Sequence, residues 1–363
     1  MASAWARTRA RERITALGAA GLADRDLRRE ILAVLRGVIG FAAYVWLLTD
    51  PVTEVGAAPL AEVPCLAELP ALIKAKYATP VNRWTALGRQ ASPAGLLTEA
   101  VHGELARSRV WREVMSQYRI CDVASVVFAD HYGCWGFLDL WRDDTQGPFR
   151  AADAEFLASI ATPLASALRY CQARTLVTPA AAHRRDAGPV VVTLDDDLRI
   201  ISRTAASQAW LTVLLPPPPG EQAVPASVYN VAAQLLAAEE GIDDHPPYAR
   251  THLHRGFWLT LRAARLSADQ NPGASTSGCA TIAVTIEEAS AADRLDLFTR
   301  VFALTAREHQ LLGLLATGSD TRAMARQMSL SEHTVQDHLK SIFTKTGARD
   351  RVTLLSRALG TKR

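Results

Sequence analysis

The sequence predicts a multidomain protein in which two α+β segments precede an all-α segment. Three observations support this fold class. The chain has 363 residues, enough for two to three domains of ordinary size. Up to about residue 289, β-rich runs alternate with helical apolar patterns, whereas residues 300–363 carry only helical patterns. Residues 300–363 also hold eleven Lys and Arg against five Asp and Glu, although the whole chain has a net charge of only +3. A basic end on a mildly acidic body is typical of a chain that meets nucleic acid through that end.

The composition indicates a soluble globular protein, because 49% of the residues are hydrophobic and 21% are charged. The five cysteines form no CxxC pair, which argues against a disulfide framework and a structural zinc site and favours a reducing, cytoplasmic compartment. The longest uncharged apolar run, Gly37–Leu48, is too short for a bilayer that takes roughly 20 apolar residues. We therefore expect no membrane association.

Residues 1–22 alternate in charge and lack an apolar core, so they do not resemble a signal peptide. They predict an amphipathic leader helix on the solvent side, with pairing to a partner subunit as the alternative.

Residues 23–178 predict the first α+β domain. A helical pattern opens at Asp24, a strand-like run covers 41–48, and helical periodicity returns over 98–115. Two β-rich runs at 123–128 and 135–141 follow, joined by the turn His131–Cys134, and a long helix over 151–171 closes the segment. This order of elements resembles a GAF domain, a sensor-type α+β fold.

Residues 188–289 predict a second α+β domain after an Ala/Pro-rich linker over 175–188. A hairpin joins 190–194 to 198–202 through the turn Asp195–Asp197, and a short helix over 205–215 ends at a proline run. Two further strands are expected over 252–266 and 280–287. This arrangement resembles a PAS domain, although Thr204 stands where that family usually has Asn.

Residues 297–363 predict four helices. Thr305 and Glu308 form a capping box for the first, Ser319 is expected to cap the second, and Ser331 the third. The third helix carries the apolar stripe Val335, Leu339, Ile342 and Phe343, and a fourth helix follows Gly347. Two short helices joined by a tight turn, the second longer and polar on one face, are typical of a helix-turn-helix.

This segment resembles the LuxR/NarL/FixJ type of bacterial regulator. The resemblance rests on co-linear motifs: Leu304-Thr305-x-Arg307-Glu308, Gly318-Ser319, Ala325, Ser331-Glu332-x-Thr334-Val335, His338-Leu339, Ile342-Phe343, Lys345, Gly347 and Arg351. It implies double-stranded DNA and RNA polymerase as partners and binding as a homodimer.

The resemblance places the polar face of the third helix in the major groove. There Gln336 can pair with adenine, Asp337 can accept from cytosine N4, and Lys340 can reach guanine or phosphate. Other polar residues of the segment are expected to contact phosphates. The predicted DNA-contacting residues are Ser319, Thr321, Arg322, Ser331, Thr334, Gln336, Asp337, His338, Lys340 and Lys345.

The first α+β domain is also rich in aromatic residues that could line a ligand pocket, with core packing as the alternative. The candidate ligand-binding residues are Tyr44, Trp46, Trp84, Phe128 and Trp135. Tyr44, Trp46 and Asp50-Pro51 also weakly resemble an acyl-homoserine-lactone domain, although regulators of that type are usually much shorter.

Catalysis and cofactor binding find little support. The chain has no GxxxxGK[ST] loop and no Gly-x-Ser-x-Gly elbow, so no cofactor is predicted and we do not expect an enzyme. His252-x-His254 could bind a metal, but strand alternation alone produces such pairs, and no metal site is predicted.

These patterns predict a DNA-binding transcriptional regulator whose GAF-like and PAS-like segments respond to a small ligand or a protein signal. A catalytic sensor with a DNA-binding tail is one alternative. The other is a regulator whose N-terminal segments serve only dimerisation.

Overall fold

A computed structural model describes residues 3–177, 190–207, 210, 226–252, 257–266 and 281–360. The chain divides into two compact units. The first contains the residues up to 168 and most of the described residues between 190 and 287, and the second consists mainly of residues 288–360.

The first unit opens with two helices, α1 (Ala4–Ala19) and α2 (Asp24–Val38), which pack against each other. The predicted leader helix is α1, and Ile14 on it is fully buried. A Cβ added to Gly18 of α1 would lie 3.0 Å from the Cβ of Ala167, so α1 packs closely in this unit.

The first sheet is antiparallel and has the strand order β2-β1-β5-β4-β3. Its strands are β1 (Ala43–Thr49), β2 (Gly56–Glu62), β3 (Ala94–Leu96), β4 (Ile120–Asp130) and β5 (Gly133–Asp143). In this register Trp46 lies opposite Leu138, and Ser125 lies opposite Asp139. Because side chains alternate along a strand, these two pairs point to opposite faces of the sheet.

Helices cover both faces of this sheet. They are α3 (Leu69–Tyr77), α4 (Trp84–Leu87), α5 (Leu97–Ala100), α6 (Arg109–Glu113) and α7 (Ala151–Val177). A core of α3, α5 and α6 residues packs on the face of Val123 and Trp141. On the other face, a Cβ added to Gly136 would lie 3.6 Å from Leu168 of α7.

The helical periodicity expected over 98–115 corresponds to several short helical elements and not to one continuous helix. The segment contains α5, α6 and 3-10 turns over 105–107 and 115–118. His102 and Gly103 have φ values of 53° and 81°, which end the first helical turn. The Ser108 hydroxyl then caps α6 by accepting from the Trp111 amide.

The second sheet belongs to the same unit and repeats the strand order, β7-β6-β10-β9-β8. Its strands are β6 (Val190–Leu194), β7 (Ile200–Arg203), β8 (Tyr248–His252), β9 (Trp258–Leu266) and β10 (Thr281–Glu288). The predicted hairpin over 190–202 is confirmed, and Asp195 Oδ1 accepts from two amides of its turn.

The single strand predicted over 252–266 is wrong, because β8 ends at His252 and β9 begins at Trp258. The helix predicted over 205–215 lies largely outside the described residues, as do most of the linker and the loop at 267–280. Helix α8 (Ala226–Glu239), which no sequence pattern predicted, packs on α3 and β2 and is buried along most of its length.

The second unit contains five helices within its described residues 288–360. They are α9 (Ala291–Val301), α10 (Ala306–Ala316), α11 (Thr321–Met328), α12 (Glu332–Thr346) and α13 (Arg351–Leu359). The last four are those predicted from the sequence. The boundary predicted at 297 falls inside α9, whose Leu297, Phe298 and Val301 are buried.

Candidate nucleic-acid interface

Capping side chains fix the ends of the helices in the second unit. Thr305 and Glu308 form the predicted capping box of α10, and the Ser331 hydroxyl accepts from the Thr334 amide at the start of α12. The cap predicted at Ser319 is wrong, because the Asp320 carboxylate accepts from the Ala323 amide and begins α11 one residue later. A carboxylate at this position also interacts favourably with the helix dipole.

The turn between α11 and α12 is tight, because Ser329 adopts the left-handed conformation with φ 55° and ψ 46°. Three residues therefore separate the end of α11 from the start of α12. This is the connection expected of a helix-turn-helix.

Glu308 is buried and ties α10 to α12. Its carboxylate accepts from the Ser341 hydroxyl at 2.6 Å, the Lys345 Nζ at 2.7 Å and the Thr305 amide at 2.7 Å. Burial acts to raise the pKa of this carboxyl, but the hydrogen bonds from Lys345, Ser341 and Thr305 outweigh it, so the pKa lies below its usual value. Glu308 is thus a structural anchor between α10 and α12 in addition to its part in the capping box.

One face of α12 is buried and the other is exposed to solvent. Val335, Leu339 and Ile342 are buried, whereas Gln336, Asp337 and Lys340 are exposed. The Asp337 carboxylate lies 3.5 Å from Lys340 Nζ and 3.5 Å from His333 Nε2. Asp337 therefore lies close to Lys340 and His333 of its own helix.

The other predicted contact residues differ in their surroundings. Arg322 is exposed, while Thr334, His338 and Ser319 are half-buried. Thr321 Oγ1 accepts from Arg351 at 2.8 Å. Lys345 donates to the Ala303 carbonyl as well as to Glu308, so two interactions within the protein already engage its ammonium group.

The structure does not bring the five candidate ligand-binding aromatics together. Tyr44, Trp46 and Phe128 lie on one face of the first sheet, whereas Trp135 lies at the register shift between β4 and β5. Trp84 stacks on Phe137 with ring centroids 4.6 Å apart. All except Tyr44 are buried core residues.

Buried ion pairs that the sequence did not predict join the two sheet segments of the first unit. Asp50 and Arg250 are almost fully buried, and Arg250 donates to both carboxylate oxygens at 2.6 and 2.9 Å. Burial acts to raise the pKa of Asp50, but the charge and hydrogen bonds of Arg250 lower it below its usual value.

A second cluster surrounds Asp243, which lies between α8 and β8. Arg83 Nε donates to Asp243 Oδ2 at 2.8 Å, and Gln234 Nε2 donates to Oδ1 at 3.0 Å. His245 Nδ1 lies 2.6 Å from Oδ1, and this hydrogen bond raises the pKa of the imidazole. No local sequence pattern indicated the Asp50–Arg250 and Arg83–Asp243 pairs, because in each pair the two residues lie more than 150 positions apart in the chain.

Asp243, Asp244 and His245 also bring possible metal-ligand atoms within 4.8 Å of one another. The carboxylate of Asp243 is already engaged by Arg83, Thr85 and Gln234. The pair His252-x-His254 cannot be evaluated as a pair, since His254 lies outside the described residues.

None of the helices within the described residues combines the length and apolarity that a membrane span requires.

Comparison with known proteins identifies the class of the second unit. Residues 303–358 match the family described as bacterial regulatory proteins, luxR family. The chain therefore carries a LuxR-family helix-turn-helix region at its C-terminal end, which confirms the resemblance predicted for this segment. Over 54 residues it is 41% identical to a protein of Klebsiella aerogenes named monoamine regulon transcriptional regulator, a match that covers 15% of this chain and 24% of that relative.

Proposed function

We propose that this protein is a DNA-binding transcriptional regulator whose first unit senses a small ligand or a protein signal and controls the helix-turn-helix. The observation that carries the proposal is the exposed polar face of α12, with Gln336, Asp337 and Lys340, within a region that matches the luxR family. A duplex reader needs such a face, because base edges in the major groove offer donors and acceptors to polar side chains.

The sensor role is supported by the architecture of the first unit. Its two five-stranded sheets share one strand order, and the opening helix α2, strand β1, the hairpin of β4 and β5 and the closing helix α7 lie where the GAF-like pattern was expected in residues 23–177. The hairpin and later strands of residues 190–288 suggested a PAS-like domain. Buried ion pairs between Asp50 and Arg250 and between Arg83 and Asp243 link the two segments.

In this proposal the regulator binds two half-sites as a homodimer and acts with RNA polymerase. Two-fold symmetric half-sites are the usual target of helix-turn-helix modules.

A DNA-binding experiment tests the proposal. The full chain and a fragment of residues 288–363 are titrated against fluorescent duplex DNA by anisotropy at several salt concentrations. We expect both to bind, and we expect log K to fall linearly with log salt, by about 0.9 for each phosphate neutralised. The fragment starts at residue 288 so that it contains all of α9. A fragment that started at 297 would cut α9 and remove part of this helix.

Lys340→Ala distinguishes a phosphate contact from a base contact. Loss of a phosphate contact should weaken binding to all sequences and reduce the salt slope by about one, whereas loss of a base contact should change sequence preference.

Failure of both the chain and the fragment to bind duplex DNA at low salt would contradict the proposal.

A further inference from the structure

The turn between β1 and β2 meets the segment between α8 and β8 around the imidazole of His245. Both segments belong to the first unit. The Thr53 hydroxyl donates to the Tyr248 carbonyl at 2.6 Å, and Glu54 follows in the left-handed conformation with φ 57°. The Trp84 indole donates to the Glu54 carbonyl at 2.8 Å, so α4 holds this backbone conformation. The turn thereby presents the Glu54 carboxylate to the His245 ring.

One nitrogen of the ring is fixed as a donor. His245 Nδ1 lies 2.6 Å from Asp243 Oδ1. Burial acts to raise the pKa of Asp243, but the hydrogen bonds from His245 and Thr85 and the charge of Arg83 hold that pKa well below its usual value. An ionised carboxylate has no proton to donate, so Nδ1 carries the proton of the neutral imidazole and Nε2 is left as an acceptor.

The other nitrogen, Nε2, faces two side chains of opposite charge. Arg89 Nη2 lies 3.2 Å from it, and Glu54 Oε1 lies 3.7 Å from it. An unprotonated Nε2 can accept from Arg89 but has no proton to donate to Glu54. A protonated Nε2 can donate to Glu54 but can no longer accept from Arg89. This nitrogen therefore exchanges partners when the ring gains a proton.

The surroundings of the ring favour its protonated form. The hydrogen bond to Asp243 raises the pKa of His245, and the charges of Asp243 and Glu54 add to the rise, while burial and Arg89 oppose it. Burial also raises the pKa of Glu54. Each of the two groups therefore becomes charged more readily when the other is charged, and their pairing couples proton uptake to contact between the two segments.

The charges around the ring are better suited to a proton than to a metal ion. Arg83 and Arg89 repel a divalent cation, and both oxygens of Asp243 already accept from protein groups. Within the described residues, the charged groups around the ring are Glu54, Arg83, Arg89, Asp243 and the fully exposed Asp244.

We propose that His245 is a proton switch at the junction of the two sheet segments. In the neutral form Nε2 accepts from Arg89. In the protonated form Nε2, which has taken a proton from solvent, donates to Glu54 and releases Arg89. Arg89 is exposed, so it leaves without disturbing the core. The inference goes beyond the proposed function, because it makes the proton a signal that the first unit registers without a ligand.

The direction of the pH effect follows from the raised pKa of His245. Because this pKa is higher in the folded protein than in the unfolded chain, the contribution of His245 to stability is fully present below the unfolded value of about 6.5. The contribution is lost as pH rises through the folded value. The junction is therefore tighter in mild acid than in base.

NMR of the full chain with isotope-labelled histidine, in the presence of EDTA, tests the switch, and His245→Gln assigns the resonance. We expect His245 to titrate above its unfolded value of about 6.5. Glu54→Gln should lower the midpoint and Arg89→Gln should raise it, each by about half a pH unit or more, because they remove an attractive and a repulsive charge. Glu99→Gln and Arg203→Gln, at exposed positions of α5 and β7, are the controls and should leave it unchanged.

The pH profile of stability gives a second readout that does not depend on the Glu54 variant. Chemical denaturation of the full chain is carried out at about pH 6 and about pH 8.5, on either side of the ordinary histidine pKa. Arg89→Gln should lower the free energy of unfolding at the higher pH, where it removes a donor from neutral His245. At the lower pH it should have no destabilising effect, because Arg89 is already released. Arg203→Gln should have the same effect at both.

Three results would overturn the inference. They are titration of His245 at or below its unfolded value, shifts of the same sign in Glu54→Gln and Arg89→Gln, and an equal loss of stability in Arg89→Gln at both pH values. None of these measurements uses DNA. Failure of the chain to bind duplex DNA would therefore contradict the proposed function alone, and the expected titration would still support the switch.

Discussion

Gln336 follows the buried Val335 on α12 and turns its carboxamide to the exposed face of that helix. A bidentate pair with adenine would make it a base reader, so Gln336→Ala should relax preference at one base pair and cost about 1–3 kcal/mol there. Selection of binding sites from random duplexes measures this preference. Gln310→Ala, an exposed glutamine of α10, is the control and should return the parental motif. The assignment is wrong if Gln336→Ala also returns it.

Asp337 is an acidic residue on the exposed face of α12 beside Gln336 and Lys340. Its carboxylate lies near Lys340 and His333, so it lowers the positive potential that α12 presents to phosphates. Asp337→Asn should strengthen binding to random DNA, because the repulsion between the carboxylate and the phosphates is removed. The ratio between the affinities for the preferred site and for random DNA should fall, because the carboxylate no longer discriminates between bases.

Dissociation constants for both duplexes at one salt concentration check the effect of Asp337→Asn. Asp296→Asn provides the matched control, because it also removes a carboxylate paired with a cation of its own helix, Arg300 of α9. An unchanged ratio of the two constants would show that Asp337 is an ordinary surface residue.

At the scale of the helix, Glu308 determines how α12 is held against α10. Glu308→Gln should lower the free energy of unfolding by about 1–3 kcal/mol, since it removes the buried negative charge and replaces one of the two accepting oxygens with an N–H donor. Chemical denaturation measures the change, with the exposed Glu332→Gln as control. A loss no larger than that of the control would contradict the anchoring role.

The sequence predicts those elements whose signals are local. The caps at Thr305 and Ser331, the hairpin turn at Asp195 and the helices of the second unit follow from residues a few positions apart. Helix α8 was not predicted because it is buried on most sides, and its sequence therefore lacks the alternation of apolar and polar residues typical of a surface helix. Strand β2 was not predicted because its sequence, Gly-Ala-Ala-Pro-Leu-Ala-Glu, contains few residues that favour strands.

The same limit applies to the candidate site. The exposed positions of Gln336, Asp337 and Lys340 on α12 follow from helical spacing in the sequence. The engagement of Lys345 by Glu308 and of Thr321 by Arg351 depends on contacts between helices, which local patterns do not specify.

At the scale of the molecule, the Asp50–Arg250 pair joins segments that lie 200 positions apart in the chain. Arg250→Met should destabilise the first unit by about 3–5 kcal/mol, because it leaves the buried carboxylate of Asp50 without its counter-charge. Chemical denaturation of the full chain measures this, with the exposed Arg203→Met as control. A loss as small as that of Arg203→Met would show that the pair contributes little.

The same pair predicts a pH dependence. The pKa of Asp50 is lower in the folded protein than in the unfolded chain, so its contribution is fully present above the unfolded value of about 3.9 and is lost as pH falls through the folded value. The difference in unfolding free energy between the parent and Asp50→Asn should therefore be constant near neutral pH and shrink in acid. A difference that grows in acid would contradict this assignment.

Many proteins acquire new sensing functions when recombination exchanges one segment for another. The buried Asp50–Arg250 pair opposes such an exchange here, because a foreign segment at either position would leave one charge enclosed without a counter-ion. A hybrid gene that replaced residues 190–287 alone would have to bring its own arginine at the right place or lose Asp50 as well. We therefore expect the two sheet segments to be inherited together, and productive crossovers to fall between them and the helix-turn-helix.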